Sequence, residues 1–223
     1  MGGTSRRVAA ALTCAVVLAG CAAPSDPAPS APGCGEVPSG ERVLLDGTPE
    51  SLERWRMAGP GGFEVGEDCS VRTVGGMGLL WFPEELTSYR LTVEWRASGD
   101  DNSGVFVGFP DPGDDPWVAV RQGYEIQIDL TDAPDRTTGA VYGFQGADVA
   151  ARDAALAPPG EWNTLEVVVE DPRITVLLNG SVVNELVSTD PARDLSSGHV
   201  GLQNHGADDE VHFRSVTLTL PPD

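Results

Sequence analysis

Short stretches of apolar–polar alternation, broken by turn residues, run along the chain from about residue 41. Ser88–Ala97 sets Tyr89, Leu91, Val93 and Trp95 against Arg90, Thr92, Glu94 and Arg96. Gly123–Leu130 sets Tyr124, Ile126, Ile128 and Leu130 against Glu125, Gln127 and Asp129. A period of two predicts strands that lay one face on a core. Further strands are expected at Arg42–Asp46, Ser70–Val74, Met77–Phe82, Ser103–Phe109 and Gly139–Tyr142. The last third adds Trp162–Glu170, Arg173–Asn179, Ser181–Leu186, His199–Asn204 and Glu210–Leu220, with Asn179-Gly180 as the strongest hairpin signal. One short helix is expected at Asp148–Leu156, closed by Pro158 and Pro159. So many strands with so little helix predict an all-β domain of two packed antiparallel sheets, a sandwich or jelly roll.

Residues ahead of this pattern read differently. Arg6 and Arg7 precede an apolar run from Val8 to Gly20, too short to span a bilayer and typical of an export signal over residues 1–20. Its end, Leu18-Ala19-Gly20-Cys21, resembles the lipobox of bacterial lipoproteins, which implies cleavage before Cys21 and acylation of that residue. Residues 21–40 are rich in Ala, Pro, Ser and Gly and read as a lipidated cysteine followed by a flexible tether. The folded domain is then expected over 41–220, held outside the cytoplasm on the bacterial cell membrane by lipid alone. In that oxidising setting Cys34 and Cys69 either form a disulfide, worth roughly 3 to 4 kcal/mol, or remain two thiols.

The net charge of −20 argues against nucleic acid as a partner, since phosphates would repel the chain. It also directs attention to where the acids cluster. Glu125, Gln127 and Asp129 form a polar row with no cation in it. Glu94 and Arg96 form a second row, Gln203 and His205 a third. If the three strands lie in one sheet with these faces aligned, they line a basin of carboxylates, amides, a guanidinium and an imidazole. Such a lining suits a sugar, whose hydroxyls bind amides and carboxylates and whose protons a desolvated carboxylate or His can move. Trp117, in a loop before the central strand, either stacks on a sugar face or anchors the loop. Trp55, Trp81, Trp95 and Trp162 read as core. No cofactor is expected beyond a divalent cation such as Ca²⁺, for which the acidic loops at Asp100-Asp101, Asp111 to Asp115 and Asp208-Asp209 offer carboxylates but not the ligand spacing of an EF-hand, so they read first as solvated loops.

Seven blocks carry a resemblance to a known family. They are Val93-Glu94-Trp95-Arg96, Asn102-Ser103-Gly104-Val105-Phe106, Tyr124 to Asp129, Thr138-Gly139-Ala140-Val141-Tyr142-Gly143, Pro159 to Asn163, Leu178-Asn179-Gly180 and Gly201 to His205. In order and spacing they resemble the 3-keto-disaccharide hydrolase domain. The resemblance implies a concanavalin-like jelly roll, distantly similar to glycoside hydrolase family sixteen. That larger family places two catalytic Glu around an Asp on one strand. Here the row reads Glu, Gln, Asp, so its double-displacement mechanism does not carry over.

What the resemblance implies instead is an elimination. A ketone at C3 acidifies the hydrogen at C2; a base removes it, the aglycone leaves C1, and water adds back. On this reading Glu125 or Asp129 is the base, His205 its partner, and Arg96 a ligand of the enolate. Glu94, Asn102, Ser103, Trp117, Gln127, Tyr142 and Gln203 bind substrate. An oxidoreductase that makes 3-keto sugars is then an expected partner. The rival expectation is a tethered carbohydrate-binding module without turnover.

Overall fold

The computed structural model describes residues 1–2 and 40–221. Two antiparallel sheets pack face to face. The larger, eight-stranded, contains β1 (Arg42–Leu45), β3 (Gly62–Val65), β4 (Val71–Val74), β6 (Tyr89–Arg96), β9 (Asn163–Glu170), β10 (Arg173–Leu178), β11 (Ser181–Val187) and β13 (His212–Thr219). The smaller, five-stranded, contains β2 (Arg56–Ala58), β5 (Gly78–Trp81), β7 (Asn102–Phe109), β8 (Tyr124–Asp129) and β12 (His199–Asn204). Their spatial orders are β11-β10-β9-β6-β13-β4-β3 and β2-β5-β12-β7-β8. One edge of β13 is shared, with β4 beside Phe213 and β1 beside Val216 to Leu218. The all-β sandwich expected from the alternation is therefore the fold.

The alternation also sets the core. Leu91, Val93 and Trp95 of β6 meet Tyr124, Ile126 and Ile128 of β8 and Val200 and Leu202 of β12 between the sheets, all buried. Each such side chain withdrawn from water contributes about 1.5–3 kcal/mol against the entropy of ordering the chain. At the β10–β11 turn, Asn179 and Gly180 have φ of 47° and 82°. Asn and Gly tolerate that left-handed pair, and the twist it imparts suits a two-residue hairpin.

Several elements depart from the sequence expectation. β2 and β3 are too short to show a period. α1 (Pro49–Leu52) is one turn, begun by Thr48, whose hydroxyl accepts from Ser51 N. α2 (Trp117–Gln122) replaces the expected loop around Trp117. Asp115 organises it locally, accepting from Trp117 N at 3.0 Å and from Arg121 one turn on. The helix expected near 148–156 is α3 (Val149–Ala155), with Asp148 as its N-cap. Gly139–Tyr142 is not a strand. Gly139 has φ of 85°, and the segment instead lies irregularly along the free edge of β8. It is tied there by Gly139 N to Gln127 O, Gln127 N to Ala140 O and Tyr142 N to Glu125 O, at 2.9–3.0 Å.

The outer face of the small sheet carries a second, smaller apolar cluster of Ala58, Leu79, Trp81, Phe106 and Phe109, joined by Ala119 of α2. This cluster is the apolar side of the site described next. The expected export signal, Cys21 and Cys34 lie outside the described residues. Cys69 is disulfide-bonded.

Candidate functional site

Because Tyr124, Ile126 and Ile128 face the core, Glu125, Gln127 and Asp129 face outward from the small sheet. In the paired strand β7, Phe106 stands opposite Glu125, Gly104 opposite Gln127 and Asn102 opposite Asp129. Across β7 lies β12, with Gly201 beside Phe106 and Leu202 beside Val105. Gly104 thus falls between Gln127 and Gln203 and leaves a bare floor between two amides. The Glu125 side chain fills that gap: a β-carbon at Gly104 would meet Glu125 Oε1 at 2.6 Å and Cγ at 2.8 Å. A cavity of about 460 Å³ opens over this floor, walled by Leu79 and Phe106 on its apolar side.

The polar lining has a distinctive balance. Burial pushes the Glu125 carboxyl up from 4.5 to about 7, against a hydrogen bond from Gln203 that pulls it down. The carboxyl stays open to the cavity, so it is poised to exchange a proton near neutrality. Around it, the amide oxygens of Asn102, Gln127 and Gln203 are buried with no hydrogen-bond partner. Gln127 is only 1% exposed. Buried acceptors without donors are costly, and here all three line one cavity. On turning toward the cavity, each would offer an acceptor to a ligand bearing several hydroxyls.

His205, just past the end of β12, also lines the cavity. Its Nδ1 lies 2.9 Å from Asp209 Oδ2, while Asp209 Oδ1 accepts from Asn102 N at 2.9 Å. The carboxylate therefore draws the imidazole proton to Nδ1 and leaves Nε2 as the nitrogen available to a ligand. Gly206 makes room for this contact, since a β-carbon there would stand 2.6 Å from Asp209 Oδ2. In the sequence Asp209 shows only as part of an acidic loop. The signal that marks it is a carboxylate four residues after a histidine, with a glycine between them.

Trp117 and Tyr142, 51% and 42% exposed, form the rim. Trp117 is held by α2. The last carbonyls of that helix, Val120 O and Gly123 O, accept from the Arg193 guanidinium. Tyr142 rides on the segment strapped to β8. That segment is also pinned from the far side by Asn184 of β11, whose amide donates to the carbonyls of Gly139, Gln145 and Gly146 at 3.1–3.3 Å.

Of the three polar rows, two meet in this cavity and one does not. Glu94 and Arg96 belong to β6 in the large sheet, and they point away from the core that their neighbours Val93 and Trp95 enter. There Glu94 accepts from Arg214 and Ser215, and Arg96 pairs with Asp68 at 2.5 Å. Neither reaches the site. Trp162 is not core either; Arg96 and Arg214 lie over its ring at 4.8 and 4.7 Å. Asp129 faces the correct way but is consumed: it accepts from Thr131 N, Asp132 N and Asn102 Nδ2, and so braces the loop and Asn102. Ser103 points inward, buried, and donates to Gln203 O at 2.7 Å. Carboxylates of the other acidic loops are occupied as turn acceptors, Asp111 with Gly113 N and Asp101 with Ser98 N and Glu210 N.

Comparison with known proteins bears on what such a site does. Residues 40–219 match the family model described as the 3-keto-alpha-glucoside-1,2-lyase-like domain. No curated protein matches the chain. Among solved structures, a protein of Parabacteroides distasonis provisionally described as a glycosyl hydrolase is similar with a TM-score of 0.64 at 22% identity, covering 81% of this chain and 99% of that one. A second protein of that organism, described in the same way, gives 0.62 at 19%, covering 76% and 89%. A carbohydrate-binding module of Bacillus subtilis gives 0.53 at 12%, covering 75% and 96%. At these identities the likeness is one of fold, the jelly roll shared by these carbohydrate-active and carbohydrate-binding domains.

Proposed function

The chain belongs to the 3-keto-alpha-glucoside-1,2-lyase-like domain family, and from that membership and the cavity on the small sheet we propose that it cleaves 3-keto-glycosides by elimination. Glu125 is the base. Its carboxylate takes the proton from C2, which the neighbouring ketone has acidified, and the electron pair passes into the enolate. The enolate collapses to a C1=C2 double bond and expels the aglycone oxygen, which takes the proton from Glu125, while His205 Nε2, left bare by the Nδ1 contact to Asp209, accepts from the incoming water. Water adding across the double bond then gives the free 3-keto sugar. A base with a pKa near the working pH gives the best compromise between being ionised and being basic.

The observation that carries this reading is one buried carboxyl of raised pKa sharing a cavity with an imidazole oriented by Asp209. Amides of Asn102, Gln127 and Gln203 are assigned to the sugar hydroxyls and the enolate oxygen, with Trp117 and Tyr142 on the ring faces. Asp129 and Arg96 have no role in the reaction. Incubation with a 3-keto-glucoside and with its unoxidised counterpart tests the reading. Aglycone release from the keto substrate alone, with deuterium entering C2 in heavy water, is the expected result. Tight binding without release would leave a carbohydrate-binding module, the reading that the open aromatic rim favours.

The same proposal places the domain outside the cytoplasm on a lipid at Cys21, from the apolar run and lipobox-like end of residues 1–21. An enzyme that oxidises sugars at C3 would supply its substrate.

A further inference from the structure

A second cleft, of about 270 Å³, adjoins the main cavity and shares Glu125, Phe106, Val120 and Tyr142 with it. Its far side is closed by Phe144 and Arg193. In the main cavity, three amide oxygens lack partners. In the cleft, the one strong donor is spent: Arg193 donates to Val120 O and Gly123 O, and its guanidinium lies 4.7 Å from the Phe144 ring centre. Its apolar wall is made by Phe106, Val120 and Phe144, and Phe144 and Val120 keep 44% and 39% of their surface open to be covered.

We propose that this cleft is the leaving-group subsite and that it selects a flat, aromatic aglycone. The inference rests on the elimination reading above. In that reaction the C2–H and C1–O bonds break, C1=C2 forms, the C2 proton goes to Glu125 and the electron pair departs on the aglycone oxygen, which is protonated to an alcohol. C1 and C2 are bonded neighbours, so a sugar that presents C2 to Glu125 must place its aglycone within a bond or two of that carboxyl. The cleft begins there. Where a second sugar lay against Phe106, Val120 and Phe144, its hydroxyls would face side chains that offer neither donor nor acceptor. An aromatic ring would instead cover apolar surface and stack against Phe144.

Benzyl and methyl 3-keto-glucosides test this, because their alcohols are of similar acidity and only the benzyl group reaches the cleft. The full chain is expected to prefer the benzyl substrate by about tenfold in kcat/KM, as one apolar group in a fitted pocket allows. Phe144→Ala, and separately Val120→Thr, should cut that preference to about threefold or less. A wild-type ratio near one, or a ratio that survives both substitutions, overturns the proposal. If neither compound is consumed, the elimination reading fails by itself. The cleft is then judged by calorimetric affinities for the same pair, where an unaltered ratio across wild type and variants overturns it and a benzyl preference lost in the variants upholds it.

Discussion

The side chain of Glu125 lies across Gly104, so that a β-carbon on that glycine would stand 2.6 Å from the carboxyl oxygen. The conflict is with the Cγ and carboxyl of one side chain rather than with backbone, so Gly104→Ala should still fold, at a cost of about 1–3 kcal/mol. The carboxylate must move, however, and displacement of a reacting group by an ångström can cost about 100-fold in rate. Turnover of a 3-keto-glucoside is expected to fall about 10- to 100-fold in protein that remains folded at the assay temperature. Full activity in this variant would remove Glu125 as the base.

Glu125 also links activity and stability to pH. Its carboxyl is raised from 4.5 to about 7, so the folded chain holds that proton more tightly than the unfolded chain. The stabilisation is complete below pH 4.5 and is lost as pH rises through about 7. Glu125→Gln should flatten this part of the melting profile and stabilise the fold at pH 8 by about 2 kcal/mol. The wild type should gain kcat/KM as pH rises through about 7, while the variant loses at least about 100-fold. A variant less stable than wild type at pH 8 would contradict the burial argument.

Asp209 acts through His205. Asp209→Asn keeps the size of the side chain but admits the wrong imidazole tautomer, so kcat should fall about 100-fold with little change in KM. In the double variant with His205→Ala, the Asp209 substitution should add almost nothing, since it has lost the ring it orients. Additive losses would instead mean that Asp209 serves the loop and not the imidazole.

On the opposite sheet, Arg96→Ala is expected to leave turnover within about twofold and to cost no more than about 1 kcal/mol in thermal or urea unfolding. Its partner Asp68 is itself partly exposed, which limits the worth of the pair. A large loss of turnover would mean that the two faces of the sandwich are coupled.

The alternation along Gly123–Leu130 was enough to place Glu125 and Gln127 on a face away from the core, and the Gln203-His205 row joined them as expected. The same alternation around Glu94 and Arg96 identified a polar face equally well. It carried no information on which sheet β6 would join, because period two sorts a strand's residues between faces and not between layers. Asp129 and Ser103 failed for more local reasons. A short acid at a strand end is readily captured by the next backbone amides, and Ser103 shares its side of β7 with Val105 and Val107. Asp209 and the aromatic wall at Phe144 lie in turns, where no periodicity marks the direction of a side chain.

Phe144 and Tyr142 flank the small sheet, yet the amide that fastens their segment is Asn184, on the outermost strand of the large one. The workplace and its clamp thus sit on opposite halves of the sandwich. Fraying at that outermost strand would unlatch the aromatic wall while the hydrocarbon interior stayed intact, so heat inactivation would precede melting.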